Sequence, residues 1–134
     1  MKITDLSLIE TRYPDDPPAV PFQTAQPDLT RIQQLGIRTL QMCSHETFMD
    51  CAYYGELQYI GDTRIQALVT MIVAKDDRLV RKALQMLDWS RSATTGFTQS
   101  RYPSNSRQII PPFGLWLVRM VFEYALWRGD KSFV

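Results

Sequence analysis

The sequence contains no run of basic residues. Its 15 lysines and arginines and 14 aspartates and glutamates leave a formal charge of +1. Because a protein that neutralises a row of phosphates needs a concentrated positive surface, nucleic-acid binding is not expected. No stretch is long and apolar enough to span a bilayer, and Asp5 and Glu10 interrupt the region where a signal peptide needs an apolar run. The sequence is typical of a soluble, cytoplasmic protein with no membrane partner.

Several kinds of reactive motif are missing as well. No serine lies in a nucleophile-elbow pattern and no glycine-rich phosphate loop occurs, so acyl and phosphoryl transfer have no support. The two cysteines, Cys43 and Cys51, are too few for a secreted disulfide scaffold, and reduced thiols are expected. Together with His45 and Asp50 they offer a zinc site as an alternative, but the paired C-x-x-C spacing of structural zinc sites is missing. No metal ion or cofactor is expected, and His45 is expected to be a hydrogen-bonded structural group.

What is present is apolar material for one domain, since 45% of the 134 residues are hydrophobic. Residues 1–27 hold five prolines, which remove backbone donors, and they are predicted to form an extended arm or an edge strand. Residues 28–134 show no strand-like alternation and are predicted to form an all-α domain of helical hairpins.

Two helices are predicted in the first half of this domain. Asp28 is a candidate N-cap for a helix that ends near Cys43 and carries Leu29, Ile32, Leu35 and Leu40 toward one side. Asp62 is a candidate N-cap for the next helix. The apolar positions of that helix follow the spacing of a single helical face: Ile65, Leu68, Val69, Ile72 and Val73.

Two more helices follow, separated by a long polar loop at residues 90–109. Asp76 or Asp77 begins the third helix, whose core face is predicted to be Val80, Ala83, Leu84 and Leu87. The fourth helix begins at Pro111 and ends at Gly129. Its predicted buried face is Phe113, Trp116, Leu117, Met120, Val121 and Tyr124. Asp130 is expected to cap a fifth helix that the chain cuts short, which predicts that the chain is a fragment.

Residues 46–64 read ETFMDCAYYGELQYIGDTR and place four carboxylates among three tyrosines. Glu46, Asp50, Glu56 and Asp62 suit acid chemistry, or simply solubility. Tyr53, Tyr54 and Tyr59 have the amphipathic rings that pack on the C–H faces of sugars, although such residues are often core or rim residues.

The ordered series DC, YY, QYIGDTR, TQSRYPS, IPPF and RGD resembles the catalytic region of bacterial α-L-rhamnosidases, which are six-hairpin α/α-barrel glycoside hydrolases. The resemblance covers nearly the whole chain, but only the first part of the family's barrel. It implies a fragment of an enzyme that removes terminal rhamnose from glycosides with inversion. In the family, one carboxylic acid protonates the leaving oxygen and a carboxylate from a later segment activates water. That base is expected to lie outside this chain, which is therefore expected to be inactive alone.

The resemblance also implies roles for single residues. Asp50 and Asp62 match family aspartates that bind the sugar hydroxyls. The family's catalytic glutamate falls at position 55, which is Gly55 here, and the neighbouring Glu56 becomes the candidate general acid. Gly55, and Ala52 in place of a family proline, are expected to let this loop relax so that Glu56 can serve. The charges of Asp50 and Asp62 are expected to raise the proton affinity of that acid.

Several alternatives remain open at this point. Glu56 is equally well a solvated loop residue, and Asp62 is equally well a helix cap. Tyr53, Tyr54 and Trp116 are candidate sugar-binding residues, with core packing as the simpler role for Trp116. The alternative function is a catalytically silent helical module that binds carbohydrate or another polypeptide. A barrel cut open exposes apolar surface, so self-association is expected in either case.

Overall fold

The computed structural model describes residues 3–14 and 24–134, and this part of the chain contains four helices and no β-strand. The helices are α1 (Pro27–Met42), α2 (Ile60–Val73), α3 (Arg78–Trp89) and α4 (Pro111–Arg128). The predicted all-α class is confirmed. Of the predicted arm, residues 1–2 and 15–23 lie outside the described residues, and residues 3–14 contain no β-strand.

The core lies where α2, α3 and α4 pack together, with α2 lying most extensively against α4. The predicted core face of α3 is confirmed, because Val80, Ala83, Leu84 and Leu87 are all buried. Phe48, from the loop before α2, is fully buried in the same core. This packing fixes the segment that holds the candidate carboxylates, because one end of the segment is anchored by a core side chain and the other by a core helix.

The buried face of α2 differs from the prediction. Ile65 and Ile72 are more than half exposed, whereas Ile60, Thr63, Ala67, Thr70 and Met71 are buried. Apolar residues occur on most sides of this helix, so sequence spacing alone does not distinguish the side that meets α4.

On α4 the prediction is largely correct. Leu117, Met120 and Tyr124 are buried, and Phe113 and Val121 pack against the core. Trp116 is the exception, since it is 41% exposed, and Glu123 takes part in the buried face instead.

Helix ends are set differently from the predicted caps. The N-cap residues of α1 and α2 are Gln26 and Tyr59, and the predicted caps Asp28 and Asp62 lie inside the first turns, where the helix dipole favours a negative charge. Asp77, one of the two predicted candidates, is the N-cap residue of α3. Gly129 ends α4 in the left-handed conformation that glycine adopts without strain.

The fifth helix is not formed. The Asp130 side chain accepts hydrogen bonds from the backbone and hydroxyl of Ser132, which closes a turn rather than a helix. Residues 90–109 form the predicted loop, without helix or strand.

Helix α1 lies apart from this core and has no buried residue. Its predicted apolar side is mostly exposed: Leu29, Ile32 and Leu35 are 40%, 62% and 59% accessible, and only Leu40 packs against the core. The arm is held against the residues that follow α1 and α2, because the backbone N–H of Tyr13 donates to the Ser44 carbonyl and the Tyr13 hydroxyl donates to Asp76.

Candidate functional site

The loop between α1 and α2 is closed by a two-way link between Asp50 and Leu57. The Asp50 N–H donates to the Leu57 carbonyl at 2.9 Å, and the Leu57 N–H donates to Asp50 Oδ1 at 3.0 Å. The Gln66 side chain on α2 donates to the Met49 carbonyl at 2.6 Å. These bonds hold the Asp50 carboxylate in one place while the turn between them projects outward.

Gly55 lies directly against the Asp50 carboxylate. A Cβ atom at position 55 would stand 2.5 Å from Asp50 Oδ1 and 2.7 Å from its Cγ, which is closer than real contacts allow. The space that a side chain at position 55 needs is therefore filled by Asp50. The expectation that Gly55 simply loosens the loop does not describe this geometry, because the glycine is what allows Asp50 to turn back onto the Leu57 amide.

Glu56 occupies the next position with an unusual backbone. Its φ of 51° lies in the left-handed region, where a residue with a side chain is strained, and the residue is exposed. In the described part of the chain no ion pair involves Glu56. The turn thus directs this carboxylate toward solvent and away from the core.

Asp62 lies in the first turn of α2 and is exposed. Partial withdrawal of the carboxyl group from water raises its pKa, its own backbone N–H lowers it, and the negative charge of Asp50 raises it again, with a net rise. Asp50 and Asp62 are therefore close enough for the charge of one to act on the other. The negative charge of Asp50 thus acts on the proton affinity of Asp62.

Tyr53 and Tyr54 lie at the tip of the turn and are 79% and 91% exposed. Their rings meet edge to face with centroids 4.8 Å apart. They form an open aromatic surface beside the carboxylates rather than the wall of a closed pocket.

Trp116 is held by a charged cluster between α2 and α4. The Arg64 guanidinium lies 4.7 Å from the centre of the Trp116 ring and donates to both carboxylate oxygens of Glu123, at 3.3 and 2.6 Å. Arg119 donates to the same carboxylate at 2.8 Å. Burial acts to raise the pKa of Glu123, but the two arginines outweigh burial and the net pKa is lowered. Trp116 is thus fixed by Arg64, two residues after Asp62, and keeps part of its ring accessible.

Arg101 was not selected as a candidate in the sequence analysis, although it lies within the TQSRYPS motif. Its guanidinium donates to the Tyr59 hydroxyl and lies over the Tyr59 ring, and the two residues form a single antiparallel bridge. Next to it, the buried Gln58 side chain donates to the Tyr102 carbonyl at 2.8 Å. The long loop therefore packs against the residues that lead into α2. The motif itself was the only signal for this role.

The zinc alternative is not supported by the geometry. Across residues 3–14 and 24–134, no three histidine, cysteine, aspartate or glutamate side chains lie close enough together to hold a metal ion. His45 Nε2 contacts the Met42 carbonyl at 3.1 Å, as expected of a structural histidine. Both cysteines are free. Burial raises the pKa of Cys43, and the N–H groups of Gly55 and Glu56 lower the pKa of Cys51.

Within the described residues, no helix combines the length and apolar character needed to cross a bilayer.

Two solved structures share this fold. A glycoside hydrolase family 78 rhamnosidase of Bacillus sp. GL1 matches with a TM-score of 0.77 at 25% sequence identity, over 83% of this chain and 12% of that chain. A rhamnosidase from Klebsiella oxytoca with rhamnose bound matches with a TM-score of 0.71 at 23% identity, over 82% of this chain and 22% of that chain. No protein-family model matches the sequence, and no curated protein matches it either.

The four helices thus define part of an α/α-barrel domain of the rhamnosidase type. The resemblance to rhamnosidases that the motifs indicated is confirmed in the fold, and a fragment fits it. The chain spans less than a quarter of the length of either neighbour.

Proposed function

We propose that this chain is the rhamnose-recognising part of a rhamnosidase-like glycoside hydrolase. The match to the Bacillus rhamnosidase supports this, because it covers 83% of the chain. Asp50 and Asp62 are also close enough in this chain for the charge of one to act on the other. The Klebsiella rhamnosidase has rhamnose bound. Ionised carboxylates accept strong hydrogen bonds from sugar hydroxyls, and Tyr53 and Tyr54 offer aromatic surface beside them.

In a longer protein that contains this chain, the reaction is inverting hydrolysis of terminal α-L-rhamnosides. Such a reaction needs an acid on one side of the sugar and a base on the other, separated by enough space for water. The candidate carboxylates Asp50, Glu56 and Asp62 come from one loop and one helix end, and Glu56 and Asp62 are exposed. They supply one side of the site only, and the isolated 134-residue chain is therefore inactive.

Rhamnose binding by the isolated chain tests the first part of this proposal. L-Rhamnose added to the ¹⁵N-labelled chain is expected to shift the amide signals of residues 50–62 in a saturable way. L-Mannose is a matched control because it differs only in carrying a hydroxyl at C6. Asp62→Asn should weaken binding, whereas Asp88→Asn, on the exposed side of α3, should leave it unchanged. Equal shifts with both sugars, or no loss in Asp62→Asn, would contradict the proposal.

Hydrolysis of an aryl α-L-rhamnoside tests the second part. The purified chain is expected to show no turnover above the uncatalysed rate. Turnover that co-purifies with the chain and disappears in Glu56→Gln would show that the chain carries a complete site.

The packing at Gly55 favours a second candidate, a carbohydrate-binding module without catalysis. The Asp50 carboxylate fills the space that a residue at position 55 would use, and Glu56 points to solvent. This candidate predicts that a longer protein containing this segment and its Glu56→Gln variant bind L-rhamnose with equal affinity. It also predicts that neither protein hydrolyses aryl or natural rhamnosides.

A further inference from the structure

An apolar groove lies between α3 and α4, away from the carboxylates. Its volume is about 630 Å³, and residues 132–134 complete its lining. Its base is formed by core residues such as Leu84 and Leu117, and its walls by the exposed aromatic residues Trp89 and Phe97, which are 69% and 50% accessible. None of Asp50, Glu56 and Asp62 lines this groove.

One wall of the groove continues into an exposed ridge on α4. Leu115, Val118, Phe122 and Leu126 are spaced three or four residues apart, which places them along one side of the helix, and they are 73%, 69%, 54% and 67% exposed. Leu115 and Val118 belong to both the ridge and the groove lining. The two features therefore form one continuous apolar face, which we call the α3–α4 face.

The size of this face approaches that of one side of a protein interface. Large aromatic side chains bury about 150 to 250 Å² each, so two exposed aromatic walls and four ridge residues together offer several hundred Å². A stable complex buries roughly 800 Å² on each partner. The rim of the groove is polar, since Asp88 and Arg91 form an exposed ion pair there. An apolar centre with a polar rim is the usual anatomy of an interface.

We propose that a second copy of this chain docks on the α3–α4 face, with the α4 ridge of each copy in the groove of the other. A face that carries both a ridge and a groove complements itself across a two-fold axis, so the contact closes at a dimer. The other exposed apolar side, on α1, consists of Leu29, Ile32 and Leu35 and contains no aromatic residue. A contact between the apolar side of α1 in one copy and the groove of the next would be head to tail. The oligomer formed in this way would be open-ended and would leave one groove uncovered at its end.

Sedimentation velocity over a wide range of protein concentrations tests this proposal. The wild-type chain is expected to approach a limiting dimer. Val118→Glu is expected to weaken dimerisation by at least about tenfold, because a charge would be buried without a partner. Ile32→Glu is the matched control, since Ile32 is similarly exposed, and it should leave the dimer unchanged. Circular dichroism and thermal unfolding establish that each variant is folded, and Leu126→Glu replaces Val118→Glu if that variant is not.

Three results would overturn the proposal. The first is that the wild-type chain stays monomeric at all concentrations. The second is that the wild-type chain forms species that grow without limit and that Ile32→Glu disperses. The third is that a folded Val118→Glu variant dimerises like the wild type. Rhamnose binding is measured separately on residues 50–62, so failure of the dimer and failure of the sugar site are distinguishable.

Discussion

The Asp50 carboxylate lies where a side chain at position 55 would stand, because Gly55 leaves that space open and the Leu57 N–H holds Asp50 Oδ1 at 3.0 Å. The resemblance to rhamnosidases implies a catalytic glutamate at position 55, where this chain has glycine. Any change at position 55 therefore acts on Asp50 first.

Gly55→Ala is expected to push the Asp50 carboxylate away from the Leu57 amide and to destabilise the loop by roughly 1 kcal/mol, the usual contribution of one hydrogen bond. Faster hydrogen exchange at the Leu57 amide would report this. Gly36→Ala is the matched control: a Cβ there meets no atom within 4 Å, and alanine in a helix interior is expected to stabilise α1 by about 0.5–1 kcal/mol. Unchanged exchange at Leu57 in Gly55→Ala would contradict the packing described here.

Gly55→Glu combined with Glu56→Gln restores the family order of residues, and the same packing determines the outcome. The introduced glutamate needs the space of the Asp50 carboxylate, so we expect weaker rhamnose binding and no gain of hydrolysis in a longer protein that contains this segment. Increased hydrolysis of an activated rhamnoside by this double variant would show that Asp50 moves aside at little cost.

Glu56 is held with a positive φ of 51°, a conformation that glycine adopts without strain. Glu56→Gly is therefore expected to raise the free energy of unfolding by roughly 1 kcal/mol, measured by urea denaturation. Glu56→Gln keeps the side chain and should leave stability close to that of the wild type. A loss of stability in Glu56→Gly would mean that the carboxylate makes a stabilising contact.

Asp62→Asn is expected to stabilise the chain at neutral pH, with an effect that disappears in acid. The folded state raises the pKa of Asp62 above its unfolded value, so ionising this group costs stability at a pH above the folded pKa. As the pH falls through the folded pKa toward the unfolded one, the wild type regains that stability and the difference from the variant closes. Thermal unfolding at a series of pH values measures this.

Asp28→Asn is the matched control for Asp62, because both aspartates lie in the first turn of a helix. It should lose about 0.3–1 kcal/mol at neutral pH, since its charge favours the positive end of α1. Opposite signs for the two substitutions are the expected outcome. If Asp62→Asn instead destabilises the chain at neutral pH, the helix dipole outweighs burial and the charge of Asp50.

Glu123→Gln is expected to destabilise the chain by about 3–5 kcal/mol, because it leaves the partly buried Arg64 without its countercharge. Arg119→Gln removes only the outer arginine, which is 52% exposed, and should cost about 1 kcal/mol or less. Loss of Glu123 should also release the Arg64 guanidinium that lies over Trp116. A change in tryptophan fluorescence reports this release, and the Trp116→Phe variant identifies the part of the signal that comes from Trp116. Equal costs for the two variants would contradict the central role of Glu123.

The sequence by itself determined the helical class and the approximate extents of all four helices. It gave the core face of α3 correctly because polar residues occupy the other side of that helix, so spacing defines a single face. It also determined the resemblance to rhamnosidases through a series of short motifs, and those motifs placed Asp50 and Asp62 in one candidate site. Local patterns were sufficient for these conclusions because each depends on residues that are close together along the chain.

The tertiary structure decided which apolar residues are buried in helices that are apolar on most sides. On α2 it buried Thr63 and left Ile65 exposed, because contact with α4 selects the face. It also decided that Asp50 fills the room beside Gly55 and that Arg64 joins Glu123 and Trp116. These relationships connect residues across a loop or between two helices, and their geometry depends on packing that no local spacing encodes.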